Sequence, residues 1–350
     1  MKKFVILLFT ALGTTLSAQT TWTVDNSSSS GAQFTSLQGA INAASVGDTL
    51  YIHPSPTSYG NVTLNKTLHL RSAGHSPQYT NGMSASIGNI TLNALIGAPD
   101  ITMSGLDFGN LSVSGSQNYA NLEIRNCRFT KVTASTTAGA CDNWVIAGCV
   151  IVGANFDNVN NSNSNGWMVI NNHIHQPNGG ETWTSVRNFN ASDIFRNNII
   201  VTNQTGNAQI FQDCVGLGVE NSMILFTNNA TGINFTGNSI VFNNCLTYHY
   251  PGATIAPLDG NNNLDNTNPM FENIGSNPAF SSNKNFQLQA GSPGVNYGTD
   301  GQDIGLYGSS FPFNMFGYAP DIPFTTNMEI LNSVVSPGAT LNVVFEASGN

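Results

Sequence analysis

The residues able to do acid–base or electrophilic chemistry in this chain are few and scattered. "LEIRNCRF" (122–129) holds Glu123 and Arg125, "DIFRNNII" (193–200) holds Arg196, and "LGVENSMI" (217–224) holds Glu220. Two carboxylates can share the hydrolysis of a glycosidic bond only when they stand roughly 5–9.5 Å apart. "HIHQ" puts His173 and His175 two apart in a strand-like run, on one side of the chain, as a metal pair would require. No third ligand accompanies them, so they read as solvent-facing histidines beside a loop. "DGNNNLD" (259–265) spaces Asp259, Asn261, Asn263 and Asp265 like the start of a calcium loop. Leu264 stands where that loop needs glycine and Met270 where it needs glutamate, so the stretch reads as a turn cluster and no metal site is assigned. "HQPNGGETWTSVRNF" brings an acid, a ring and a cation together as Glu181, Trp183 and Arg187, close to His175. A tryptophan ring suits the apolar face of a sugar, and a long loop on a rigid scaffold is where binding residues gather.

Positioning such residues needs a scaffold, and the sequence carries one as a repeat. "ITMSGLDF" (101–108), "LEIRNCRF", "WVIAGCVI" (144–151), "WMVINNHI" (167–174), "DIFRNNII", "LGVENSMI" and "SIVFNNCL" (239–246) align on their fifth residues, at intervals of 21, 22, 23, 26, 24 and 22. An interval in this range without a helical signature marks a solenoid. The third column (Met103, Ile124, Ile146, Val169, Phe195, Val219, Val241) and the eighth (Phe108, Phe129, Ile151, Ile174, Ile200, Ile224, Leu246) are apolar throughout. Positions two and four vary freely, as expected of a strand with one face inward. The fifth position is always Gly or Asn, the residues that enter the left-handed region cheaply and bend the chain. Each rung is therefore strand, corner, strand, with Trp144 and Trp167 stacked in the inward first column. In the sixth column Asn172 and Asn198 can bond from rung to rung, and Cys127 and Cys149 share the file as core filler. Upstream, Phe34, Leu37, Ile41 and Ala44 fall at helical spacing behind Thr35 or Ser36 as cap. That helix would close the first coil, which solenoids require.

Composition fits this scaffold. Charged residues are 8% of the chain and asparagine supplies 49 positions, so water must be met by amides, hydroxyls and backbone. The 40% hydrophobic fraction suffices for a long core. Lys2, Lys3, "FVILLF" and "TLSAQ" read as a secretory signal peptide over 1–18, cut after Ala18. The apolar run is too short to span a bilayer, and the expected location is extracellular or cell-surface. Without the two lysines, eight Lys+Arg face 19 Asp+Glu, a balance that excludes nucleic acid as partner. Cys127, Cys141, Cys149, Cys214 and Cys245 are odd in number and form no C-x-x-C, and they read as buried thiols.

"FTSLQGAINAASVGDTLYIHPSPTSYGNVTLNKTLHL", the Asn-cornered rungs and "NPMFENIGSNPAFSSNKNFQLQAGSPGVNYGTDGQDIGLYG" together resemble the secreted right-handed parallel β-helix proteins of the pectate-lyase-like superfamily. The likeness covers roughly residues 30–310. It implies an all-β, right-handed parallel β-helix of about 21–26 residues per coil over 19–310. A connector and strand over 311–350 would follow, possible start of a further module. The superfamily contains both enzymes and non-enzymes. A lyase would need Arg125 or Arg196 as base on the outward face, with Glu123, Glu220 and His173 nearby and a Ca²⁺ site to stabilise the enolate. Arg196 with Glu220, and Asp107 with Arg128, share columns on adjacent rungs and read instead as surface ion pairs. Glu123 and Glu220, four rungs or about 19 Å apart, are too distant for a glycosidase pair. The expectation is a non-catalytic protein whose neutral Asn/Ser/Thr-rich face binds a glycan or surface partner. A polysaccharide lyase and a structural spacer are the alternatives.

Overall fold

The computed structural model describes residues 19–348 except 29, 79, 81, 98–99, 138, 154–156, 178–183, 204–208, 228–238, 321 and 333, together with the side chains of 324–326 and 328. The leader over 1–18 lies outside these residues. The chain is a parallel β-solenoid of about 7 turns. Its first face is an 11-stranded parallel sheet running from Thr21–Val24 to Gly260–Asn261, each strand paired with that of the next coil. The second and third faces belong to one 13-stranded sheet. Arg128–Thr133 joins them, pairing at Phe129 with Ile151 on one side and at Val132 with Val159 on the other.

The register stacks the third column directly: Met103, Ile124, Ile146, Val169, Phe195 and Val219 are successive Cα partners, all buried. Each such side chain adds about 1.5–3 kcal/mol of burial, so the columns hold the coils together. Trp144 and Trp167 stack in the core with ring centroids 4.7 Å apart. At the corners Gly105, Asn126, Gly148, Asn171, Asn197 and Asn221 have φ between 50° and 69°. The last rung departs from the sequence alignment by one residue. Phe242, and not Val241, pairs with Val219, Thr247 replaces Leu246 beside Ile224, and Asn244 (φ 52°) turns the corner instead of Asn243. The correction puts Cys245 in the file of Cys127 and Cys149. Along that file Asn172 Oδ1 accepts from Cys149 N at 2.8 Å and Asn198 Oδ1 from Asn172 N at 2.9 Å.

All five cysteines are free and buried. Burial raises the Cys149 and Cys245 thiols to about 12, and Cys127 is raised as well. They stay protonated near neutrality, as filler and not as nucleophiles. The helix α1 (Leu37–Ala43) buries Leu37, Ala40 and Ile41, and Ser36 caps it by accepting from Gly39 N. Among the described residues no helix is long and apolar enough to cross a membrane.

A second core lies outside the coils. Residues 268–319 form a strap in which Phe271–Asn273 pairs antiparallel with Asn285–Leu288. Phe271, Ile274, Phe286, Ile304, Leu306 and Phe313 pack on Val150, Ile199, Val201, Met223, Leu225 and Leu246, which point outward from the second face. The corner asparagines bind its backbone in order. Asn244 Nδ2 donates to Tyr297 O at 2.6 Å, Asn221 Oδ1 accepts from Thr299 N at 2.9 Å, and Asn171 Nδ2 donates to Leu306 O and Gly308 O at 2.7 and 2.6 Å. Asn126 Nδ2 donates to Tyr318 O at 2.7 Å, so the strap runs back along the stack toward the N-terminal coils. Beyond it, Phe324–Ile330 and Val343–Ser348 form an antiparallel hairpin.

Candidate functional site

The strap changes the setting of the histidines. Being outward on a strand does not expose them: His173 is fully buried, its Nε2 2.9 Å from Pro278 O and its ring against Phe280 and Phe286. Burial lowers it to about 3 and the half-buried His175 to about 4. The solvent-facing reading is therefore wrong, because the strap supplies a second interior. Among the described residues no group of three or more His, Cys, Asp or Glu is placed to hold a metal. In the calcium-like stretch, Asn263 Oδ1 accepts from Cys245 N and Asp265 Oδ1 from Leu258 N, as turn residues do.

Of the proposed lyase residues only two meet. Glu123 and Arg125 form an ion pair along one strand, and the Arg125 guanidinium carbon lies 4.6 Å from the Phe311 ring centroid. Arg196 stands in the same column as Arg125 but three rungs on, roughly 14 Å away. Ala147 and Ile170 lie between them, both buried. Glu220 is the next Cα partner of Arg196. Two expected ion pairs do not form: among the described residues neither Arg196–Glu220 nor Asp107–Arg128 closes to contact, although both are register partners. Asp107 instead accepts from Ser84 Oγ at 3.1 Å.

The binding set fares differently. Glu181 and Trp183 lie outside the described residues. Arg187 is held by two carboxylates, with Nη1 3.2 Å from Asp157 Oδ2 and Nη2 3.0 Å from Asp213 Oδ2. Asp213 leads directly to a cleft of about 300 Å³ on the third face, lined by Ser162–Asn165, Asn188, Phe189, Asn190, Asp213 and Val215. Three successive rungs build it. Ser162, Asn188 and Asp213 are corner residues with φ of 56°, 63° and 55°; Asn188 and Asp213 directly follow the strands Val186–Arg187 and Phe211–Gln212, and Ser162 lies two residues past Val159–Asn160. Asn188 Nδ2 is fixed by Asn160 Oδ1 at 2.8 Å and Asn190 Nδ2 by Ser164 O at 3.1 Å. The exposed Val215 supplies an apolar lip. Oriented amides and hydroxyls beside an apolar surface can take a ligand rich in hydroxyls, with little net charge of its own. Sequence reasoning saw the asparagine surplus but not this cleft, because the third-face corners have no shared neighbouring motif.

A second cleft, of about 240 Å³, opens on the first face between Arg71, Thr102, Ser104, Glu123, Arg125 and Pro320. Arg71 escaped the sequence reading because "LHLRSAGH" lacks an Asn or Gly at the aligned corner, and Ser104 because a lone hydroxyl at the variable fourth position of "ITMSGLDF" carries no signal. Comparison with known proteins assigns no family: no family model matches the chain, and no curated protein matches it.

Proposed function

We propose that this chain is a secreted or cell-surface right-handed β-helix, akin to the pectate-lyase-like superfamily, that binds a glycan without cleaving it. The observation that carries the reading is the amide- and hydroxyl-lined cleft beside Arg187. Its donors and acceptors are already oriented by rung-to-rung hydrogen bonds, so ligand binding need not order them again. Sugar hydroxyls match paired amides, and Val215 offers a surface for a ring's C–H face. A lyase reading has less support, since Arg125, Arg196 and His173 do not converge and the acidic balance of the chain repels polyuronates.

The test is retention of the mature protein on a glycan array. Asn165→Ala and Val215→Asp change the exposed lining without touching the core, and each is expected to lower retention about tenfold, the scale of one or two lost contacts. Equal retention by both variants and the parent would remove the cleft from the account.

A further inference from the structure

The antiparallel pair Phe271–Asn273 and Asn285–Leu288 is closed by a tip, residues 274–284, that reaches onto the second face. Its grip there rests on imidazoles. Phe280 packs against two of them from different coils, with ring centroids 5.7 Å from His75 and 5.8 Å from His173, and Pro278 O accepts from His173 Nε2 at 2.9 Å. Both histidines are buried, and neither His173 Nδ1 nor His75 Nε2 has a hydrogen-bond partner. Gly317 of the strap lies so close over His75 that a Cβ there would collide with the ring. The charged neighbours are cationic: Arg128, whose register partner is Asp107, acts on His75, while His175 and Lys284 act on His173. Glu272, on the hairpin itself, is exposed, and Tyr307, which packs on Phe313, is pushed up to about 12 by burial and stays neutral. Among the described residues no carboxylate acts on either imidazole. Lys284 Nζ donates to Asn277 O and Ala279 O at 2.6 Å, so the tip holds its own shape. Little else anchors it, since residues 275–277 are exposed and only Ile274 and Pro278 of the tip are buried.

We infer that the tip 274–284 is a flap released by acid: protonation of His75 and His173 lifts it from the second face while the coils beneath stay stacked. A proton added to either ring leaves a buried cation with no carboxylate to pair it, and a buried unpaired charge strongly disfavours the packed state. Lifting the flap returns the imidazoles to water and relieves that penalty. Burial holds both near 3 against 6.5 in water. Below pH 6.5 the open form therefore takes up protons that the closed form refuses, and closure is lost as pH falls toward 3. The inward columns carry no such dependence, because Met103, Ile124, Ile146, Val169, Phe195 and Val219 do not titrate. Local opening is expected at weakly anchored segments like this tip. Release bares the outward column Val150, His173 and Ile199. The inference stands independently of glycan binding at the third-face cleft.

Ser276→Cys in the exposed tip, labelled with a pH-insensitive dye, tests it, since all five native cysteines are buried. Anisotropy of the full chain is followed from neutral pH downward beside far-UV circular dichroism. Anisotropy is expected to fall reversibly before the β signal changes. The ratio of open to closed flap should grow about hundredfold per pH unit below 6.5, tenfold for each histidine. In His75→Leu, and separately in His173→Leu, that growth should drop to about tenfold per unit, whatever either substitution does to closure at neutral pH. Anisotropy that holds until the β signal is lost would show that the tip does not move on its own. Steepness unchanged in both variants would show that other groups drive the release, and anisotropy indifferent to pH would remove the flap altogether; each of these results overturns the inference.

Discussion

Asn171 shows why these corners are asparagine. Its φ of 55° lies in the left-handed region, which costs most L-residues roughly 1–2 kcal/mol. Its amide also does what glycine could not, donating to Leu306 O and Gly308 O and accepting from Ser309 Oγ at 2.7 Å. Asn171→Ala should lower the unfolding free energy by about 3 kcal/mol, combining backbone strain with buried carbonyls left unpaired. Asn171→Gly should lose about 1 kcal/mol less, because it keeps the turn and forfeits only the bonds. Urea unfolding of the two variants checks this, and equal losses would mean the turn carries no strain. The left-handed role was legible in sequence from the recurring Gly or Asn. The grip on the strap was not, because its acceptors lie more than 130 residues away. The doublet Asn243–Asn244 misled for a related reason: either residue can turn a corner, and only the register of Phe242 against Val219 decides.

At the scale of elements, the strap turns an outward sheet face into a second interior, and two buried histidines record it. His173 lies under Pro278, Phe280 and Phe286, and His75 packs against Phe280, with Ser76 N donating to Phe316 O at 3.0 Å. Burial lowers both to about 3 from an ordinary 6.5. Below pH 6.5 the unfolded chain therefore binds protons that the folded chain refuses, so stability is full above that pH and is lost as pH falls toward 3. Asp193 acts in the opposite sense. Burial raises it to about 6 from 3.8, so the folded state holds the extra proton and this group favours folding as pH drops from 6 to 3.8. With His175, lowered to about 4, three histidines outweigh this aspartate, and their balance should make stability fall between pH 6.5 and 4. His173→Leu matches its apolar column neighbours Val150 and Ile199 and should reduce that slope by about 1.4 kcal/mol per pH unit, one proton's worth. Urea midpoints across this range test it, and an unchanged slope would show that His173 is not the buried titrating group. The sequence placed His173 outward, and the register puts Val150 and Ile199 in the same outward column. Nothing in the patterning signalled that a segment a hundred residues later would cover them, since Phe271, Phe286 and Phe313 occur in no repeat.

For the whole molecule, the solenoid was readable because each coil repeats the same inward columns, whereas the clefts arise where coils differ. The third-face cleft depends on side chains from three unlike corners, and the first-face cleft on a strap folded back over the stack. Such a scaffold presents rigid surfaces over which Arg125, Arg196 and His173 are dispersed, and the proposed reading is that these surfaces hold a ligand without converting it. The most direct measurement pairs binding and turnover on one sample: the glycan retained by the mature protein is incubated with it and calcium, then sized, with absorbance from unsaturated ends followed throughout. The account predicts a retained ligand of unchanged length and flat absorbance. A shortening ligand with rising absorbance would contradict it.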